Sequence, residues 1–416
     1  MDSNKKYWFY LYPHIYVSCA HEEKMLLYDT RQGLVLETQN AFCIQLIKKI
    51  YSPESLGVVE LIPYNYDVVV LSFIHSIVNK LMGCLTEINE SIERPINLLP
   101  VLNLQKDVDK LIKQGEDFIG DWIIQYLSEL NIFLNGDCEE SCPFCDKYYK
   151  QVKCCQKKQD NKCLSPKTID KILVQANHSA GEKVNFLGGN LSLYLYWNEL
   201  CKVISTYNFE FHLWMNYKHL VDAEAIPIFK SVHIDIIVSF PIDGHFLMMQ
   251  IQKYGKKKNA HFHFLIENEE QLYETEVFYP QILDYTLEPI YTGKNLAFFE
   301  KNVYINRDDI FSEIVSFRRI FCNQKLNAND FGTLNILSDG IVKANLNINS
   351  DLGCIHEQTL LDTIYKELIE NSAWRKIRNS APCLNCLYQY LCPPPSNYEH
   401  VIGKNNLCKV HKKKLI

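Results

Sequence analysis

From about residue 130 the chain changes character, and this change limits the folds open to it more than any other feature. Short β-rich runs (LNIFLN, KVNFLGG, FEFHLWMN, HIDIIVSF, HFHFLIEN) alternate with stretches of helical spacing such as PKTIDKILVQANH and LYWNELCKVISTY. A strand followed by a helix is not paired by a hairpin. The helix returns the chain across the sheet, so successive strands lie parallel. The expected fold class is α/β, a parallel sheet forming a full or partial barrel over residues 129–318.

The flanks read differently. Residues 1–90 are expected to form a small α+β unit. Its strands are YWFYLYPHIYVSC and KMLLYDTRQGLVLE, the second turning at RQG, and its helices are NAFCIQLIKKIY and DVVVLSFIHSIVNKLMG. Residues 91–128 form a link with Pro95 and Pro100 and a helix over 106–127. Residues 319–416 form a third unit, turn-rich (SDG, PPPS, IGK) and punctuated by cysteines.

With 47% hydrophobic and 22% charged residues, the chain has a globular composition rather than a disordered one. A net charge of −6 argues against a broad nucleic-acid or anionic-membrane partner; the runs Lys256–Lys258 and Lys412–Lys414 are expected to be solvated faces. No apolar stretch reaches the length of a membrane span. The aromatic start, with Pro13 and His14, is read as mature structure and not as a signal peptide, so the expected location is cytoplasmic. In a reducing compartment, sixteen cysteines suggest metal ligation or redox chemistry before disulfides. Cys19, Cys43, Cys84 and Cys201 stand alone among apolar residues and are expected to pack as small hydrophobes.

Two constellations are denser. Cys138-x3-Cys142-x2-Cys145 directly follows LNIFLN. In a parallel sheet ligands bind beyond the carboxyl ends of strands, where a loop can wrap three thiolates around one inorganic object. A four-iron cluster held by three thiolates keeps one iron open. Zinc would require a fourth ligand, which Cys154, Cys155 or Cys163 could supply. The second set is Cys383-x2-Cys386-x5-Cys392 with Cys408, four thiols within 26 residues. Zinc and a four-iron cluster both fit it, and spacing does not choose.

The first motif, with Phe144 before its last cysteine, resembles the radical S-adenosylmethionine (SAM) superfamily. That resemblance implies a partial (β/α)6 TIM-like barrel and a 4Fe-4S cluster on Cys138, Cys142 and Cys145. The open iron of that cluster would chelate SAM, whose cleavage to a 5′-deoxyadenosyl radical would abstract hydrogen from substrate. VNFLGGN lies where the family carries Gly-Gly-Glu against the SAM amine. Gly188 and Gly189 match, while Asn190 replaces the acid with an uncharged acceptor, which implies weaker SAM binding. The plain alternative is a glycine turn after a strand.

The second set resembles the SPASM extension of peptide-modifying radical SAM enzymes, with FGTLNILSDGIVKAN as its hairpin turning at Asp339-Gly340. The full pattern carries seven cysteines and two auxiliary clusters. Here Asn345 and Ser396 replace two ligands of the first, with Cys322 and Cys354 as candidate remnants. One auxiliary 4Fe-4S cluster is therefore implied, on Cys383, Cys386, Cys392 and Cys408. Residues 1–90 resemble the small leader-peptide recognition domain of ribosomal-peptide modification systems, which binds a peptide as an added strand. The alternative is a structural cap. KYWFYLYP, YKQVKCC and CPPPSNYE resemble pseudo-radical-SAM companion proteins of Gly-Gly-leader peptide systems. The implied partners are a ribosomally made precursor peptide and a partner maturase. Three functions stay open: a radical SAM enzyme that modifies a peptide, a catalytically degenerate scaffold that binds the precursor or the maturase, and a zinc-stabilised structural protein.

Overall fold

The first aromatic run does not form one strand. Pro13, with no N–H to give a ladder, separates β1 (Tyr7–Leu11) from β2 (Ile15–Ala20), and the two enter different sheets. The second run forms the expected hairpin of β3 (Lys24–Asp29) and β4 (Val35–Thr38). Its turn is held by Asp29 Oδ1, which accepts from the N–H groups of Arg31 and Gln32 at 2.8 and 3.0 Å. β1 lies antiparallel between β5 (Val59–Leu61) and β6 (Gly83–Glu87), while β2-β3-β4 is a separate antiparallel sheet. The two helices, Ala41–Ile50 and Val68–Asn79, begin at Asn40 and Asp67, whose side chains accept the orphan N–H groups of the first turn. This computed structural model describes residues 2 and 5–410, apart from 21, 22, 90–92, 101, 103–121, 141, 144, 159–161 and 225. Most of the helix expected over 106–127 lies outside the described residues; a 3-10 turn spans Ile123–Tyr126.

β3 has no solvent face. Met25 and Leu27 point into a core shared with β1 and both helices. Leu26 and Tyr28 point the other way, toward Ile310, Val315, Ile320, Leu387 and Leu391 of the C-terminal part. The Tyr28 hydroxyl accepts from the Val315 N–H at 2.8 Å, and Glu37 accepts from both Arg307 and Tyr388 at 2.9 Å. The N-terminal unit is thus seated on the cysteine-rich one.

The middle of the chain forms β7 (Glu129–Phe133), β8 (Lys183–Leu187), β9 (Glu210–Asn216), β10 (His233–Val238), β11 (Ala260–Ile266) and β12 (Tyr285–Pro289), all parallel and side by side in chain order. The parallel α/β sheet is as expected, with β12 as an unexpected edge strand. β13 (Thr333–Ile336) joins the free side of β7 in parallel and turns back as β14 (Ile341–Lys343), which pairs with β15 (Gly353–Cys354). β12 and β15 form the two edges and do not pair with each other among the described residues. No helix among those residues is long and apolar enough to cross a membrane.

Alternate residues divide the sheet into two faces. Leu130, Ile132, Val184, Phe186, Leu213 and Ile236 pack outward against the connecting helices. The inner face is apolar toward the carboxyl ends (Phe133, Leu187, Trp214, Ile237, Leu265). Toward the amino ends it is polar. Asn131 donates to Asn335 Oδ1 at 2.9 Å, Asn185 to Asn131 Oδ1 at 2.8 Å, and Trp214 Nε1 to Asn185 Oδ1 at 3.0 Å. These bonds satisfy amides that burial would otherwise penalise by about 1–3 kcal/mol each.

Candidate functional site

After β7 the chain runs beside the end of β8. Gly189 N–H donates to Asn135 O at 3.1 Å, Asn190 N–H to Asp137 O at 2.5 Å, and Asn135 Nδ2 to Asn190 O at 3.0 Å. A Cβ on Gly188 would stand 2.5 Å from Asn135 O, and one on Gly189 2.0 Å from Asp137 O. Gly188 also has φ +145°. The glycine pair is therefore required by the close passage of the backbone that leads into Cys138, whatever else it does.

From there the cysteine loop crosses the carboxyl ends of the sheet. Cys138 Sγ lies 3.7 Å from His219 Nε2, just past β9, and Cys142 Sγ lies 3.9 Å from Ser239 Oγ, just past β10. Cys145 opens the helix Cys145–Gln151. That helix is fastened to the ends of β11 and β12. The Tyr148 hydroxyl donates to Glu267, and Gln151 exchanges bonds with the Tyr291 main chain at 2.9 and 2.7 Å. Phe144 lies outside the described residues.

Burial pushes the Cys138 and Cys142 thiols up to about 11 and raises Cys145. The charge that Cys155 would carry adds to all three, while Lys157 and Lys218 pull Cys138 and Cys142 respectively the other way. Cys155 is itself held protonated by its hydrogen bond with Cys154 and by burial. A bound cation would supply the charge that favours the thiolate forms of these three residues. Cys154 and Cys155 line the apolar floor with Phe133, Leu187 and Trp214; Cys163, half-buried, makes an isolated bridge with Asn135.

Asn190 is 6% exposed and caps the short turn Leu191–Leu193. Its Oδ1 accepts from the Ser192 N–H at 3.0 Å and the Ser192 hydroxyl at 2.5 Å. The acceptor expected to face a SAM amine is turned to Ser192 instead.

The C-terminal thiols also lie near one another. Burial pushes Cys386 up to about 11 and Cys392 up to about 12 and raises Cys383, and each of these three is also influenced by Cys408. Two amides point at sulfurs of the set: Tyr388 N–H donates to Cys386 Sγ at 3.4 Å, which partly offsets the effect of burial there, and Val410 N–H donates to Cys408 Sγ at 3.3 Å. Arg378, buried, has Nη1 at 4.0 Å from Cys383 Sγ and 2.7 Å from Glu399 Oε1. The structure thus brings the four predicted ligands near one another, with Arg378 acting on Cys383, Cys386 and Cys392. In neither cysteine set do three thiols lie within 4.8 Å of one another. Tetrahedral zinc, at 2.3 Å to sulfur, needs edges of about 3.8 Å. The thiol positions by themselves do not choose between zinc and a four-iron cluster.

Where the other auxiliary ligands would stand there is a polar network. Asn345, 4% exposed, donates to Asp330 Oδ1 at 2.8 Å and Asn397 Oδ1 at 2.7 Å, and accepts from the Asn347 N–H at 2.8 Å. Ser396 is the N-cap of the helix Asn397–Ile402, in a reciprocal box with Glu399. Cys322 sits on the helix Phe317–Asn323, and Cys354 sits in β15 close to Gly340. Of the thiols expected to be packing residues, Cys43 is fully buried, but Cys84 and Cys201 are partly exposed and Cys19 is exposed, because it falls on the outward side of the β2 ladder.

Sequence reading did not single out His219, Ser239, Glu267 or Arg378. The first three sit within three residues of the ends of β9, β10 and β11, a position that could have marked them. No family model matches the chain, and no curated protein matches it. Among solved structures it is similar to Streptococcus suis SuiB. For SuiB bound to precursor peptide SuiA the identity is 14% and the TM-score 0.46, over 98% of this chain and 99% of that one. For SuiB bound to S-adenosylmethionine the identity is 14% and the TM-score 0.47, over 95% and 97%. For SuiB alone the identity is 13% and the TM-score 0.45, over 97% and 99%.

Proposed function

We propose that the chain is an iron–sulfur protein of radical SAM/SPASM type that modifies a ribosomally made precursor peptide in the cytoplasm. The observation that carries this reading is the loop of Cys138, Cys142 and Cys145 laid across the carboxyl ends of β7–β10, backed by the four-thiol set Cys383, Cys386, Cys392 and Cys408. The donor sets suit a cluster: half-buried or buried thiols in sets of three and four, two of them with N–H···S bonds in place. When bound, a 4Fe-4S cluster and SAM would supply one-electron chemistry at an unactivated C–H bond.

The chain's own residues do the rest. Gly188 and Gly189 let the backbone pass close enough to set the cysteine loop. The floor of Phe133, Leu187, Trp214 and Cys155 excludes water from below. Tyr148 and Gln151 lock the helix that carries Cys145. In this reading the sheet is a partial (β/α)6 barrel over 129–318, residues 1–90 receive the peptide as an added strand, 91–128 link the two, and 319–416 hold one auxiliary cluster.

Anaerobic reconstitution with iron and sulfide tests it, by iron content and by dithionite-driven release of 5′-deoxyadenosine from SAM. About eight irons, as two four-iron clusters require, with deoxyadenosine release is the expected result. Zinc in place of iron refutes it. A second reading, a catalytically degenerate scaffold for the precursor or a partner maturase, is favoured by one observation: the Asn190 acceptor is spent on Ser192. Its signature is a full complement of iron with no SAM bound or cleaved, even with candidate peptide present.

A further inference from the structure

The end of the sheet opposite the cysteine loop carries chemistry that the proposed function does not use. His212 in β9 pairs directly with His233 in β10, and Glu210 precedes His212 by two residues, so all three side chains leave the same inner face. The two imidazole rings stack, with centroids 4.8 Å apart and planes 16° apart. Both Nε2 atoms converge on one carboxylate oxygen: Glu210 Oε1 is 3.0 Å from His212 and 3.5 Å from His233. Behind them, His212 Nδ1 lies 2.6 Å from Asp235 Oδ2, and the other oxygen of that buried carboxylate lies 3.1 Å from His263 Nε2. Among the described residues this is the one group of three or more His, Cys, Asp or Glu whose ligand atoms all fall within 4.8 Å of one another.

We propose that Glu210, His212 and His233 form a site for a divalent transition metal of the zinc class. Zinc at about 2.0–2.1 Å from nitrogen and oxygen sets tetrahedral edges of about 3.3–3.5 Å; the two edges to Glu210 are 3.0 and 3.5 Å, and the third, between the imidazoles, lies within 4.8 Å. Two imidazoles and one carboxylate suit zinc and its neighbours rather than calcium or magnesium, which take oxygen. With a metal on Nε2, the His212 proton would sit on Nδ1, where Asp235 Oδ2 at 2.6 Å accepts it, the arrangement that orients metal-bound histidines generally. Three protein ligands leave a fourth position. It opens on a cavity of about 460 Å³ whose lining includes Lys183, Lys258, His261 and Asp284, room for water or a small anion. A site with an open position is built for chemistry or ligand capture more than for structure.

Thiols also bind zinc, so the test compares variants. Glu210→Gln and His233→Ala change side chains that are 49% and 46% exposed. Wild type and each variant are equilibrated anaerobically against chelator-buffered zinc and their metal content is measured. The expected result is one zinc per chain fewer in each variant, with Cys142→Ala keeping this equivalent. Loading with Co²⁺ identifies the ligands. The wild-type-minus-variant spectrum is expected to show d–d bands without thiolate-to-cobalt charge transfer. Equal metal content in wild type and both variants, or a difference spectrum dominated by thiolate charge transfer, overturns the site.

Discussion

Gly189→Ala tests whether the end of β8 is the support of the cysteine loop. The new Cβ would stand 2.0 Å from Asp137 O, 2.6 Å from Asp137 C and 2.9 Å from Gly136 C. All three are backbone atoms, so no rotamer change relieves the clash and one segment must move. Overpacking of this kind costs about 1–3 kcal/mol. Moving the segments apart also weakens the Gly189–Asn135 and Asn190–Asp137 bonds, at about 0.5–1.5 kcal/mol each. The sum is roughly 2–6 kcal/mol, concentrated at the residues before Cys138. Gly244→Ala is the matched control. A Cβ there meets nothing within 4 Å and starts the helix Gly244–Tyr254, so it should stabilise by about 0.4–1 kcal/mol. Urea unfolding followed by tryptophan fluorescence, where Trp214 reports on the inner wall, gives the stability; iron content after reconstitution gives the loop. Both are measured without SAM, so a lost ligand contact cannot produce the effect. If Gly189→Ala unfolds at the wild-type urea concentration and takes up the same iron, the glycine pair does not hold the loop and the packing argument is wrong.

Other outcomes follow from the same geometry. Cys142→Ala should remove the first cluster and leave the C-terminal unit folded, whereas Cys386→Ala should make residues after 370 protease-sensitive, because ligation there supplies folding free energy; equal loss in both would deny a separate site. Arg378→Met should cost about 3–5 kcal/mol by leaving the Glu399 carboxylate buried without its cation, read as a lower urea midpoint and earlier cleavage of that unit. Burial pushes the Asp330 carboxyl up to about 7, with Asn345 pulling it down and Glu367 adding to the rise. The unfolded chain releases this proton near pH 4 and the folded chain near 7, so stability falls as pH rises between them, by on the order of 4 kcal/mol. Asp330→Asn should flatten that part of the profile, and an unchanged slope between pH 5 and 8 would place the proton elsewhere.

What could be read from the sequence, and what could not, follows from which interactions are local. The runs at β7 to β11 stand out because both faces of their carboxyl-terminal halves are buried, so the apolar signal is nearly continuous. Tyr285–Pro289 carries no such signal, since an edge strand with an exposed first residue and four half-buried ones needs only the ladder from β11. Cysteine spacing showed the two thiol sets because a single loop supplies most of each. The role of Asn190 was not visible, because Ser192 competes for its oxygen only once the turn is made. The histidine site is the hardest case. Glu210 and His212 sit two apart on one strand, but His233 reaches them only through the register of β9 against β10. A one-residue slip would turn His233 to the outer face and leave two ligands instead of three. That register is fixed by the apolar outer face, where Leu213 lies opposite Ile234 and Met215 opposite Ile236. The metal site therefore depends on hydrophobic packing on the far side of the same strands, and it should survive loss of either cysteine set.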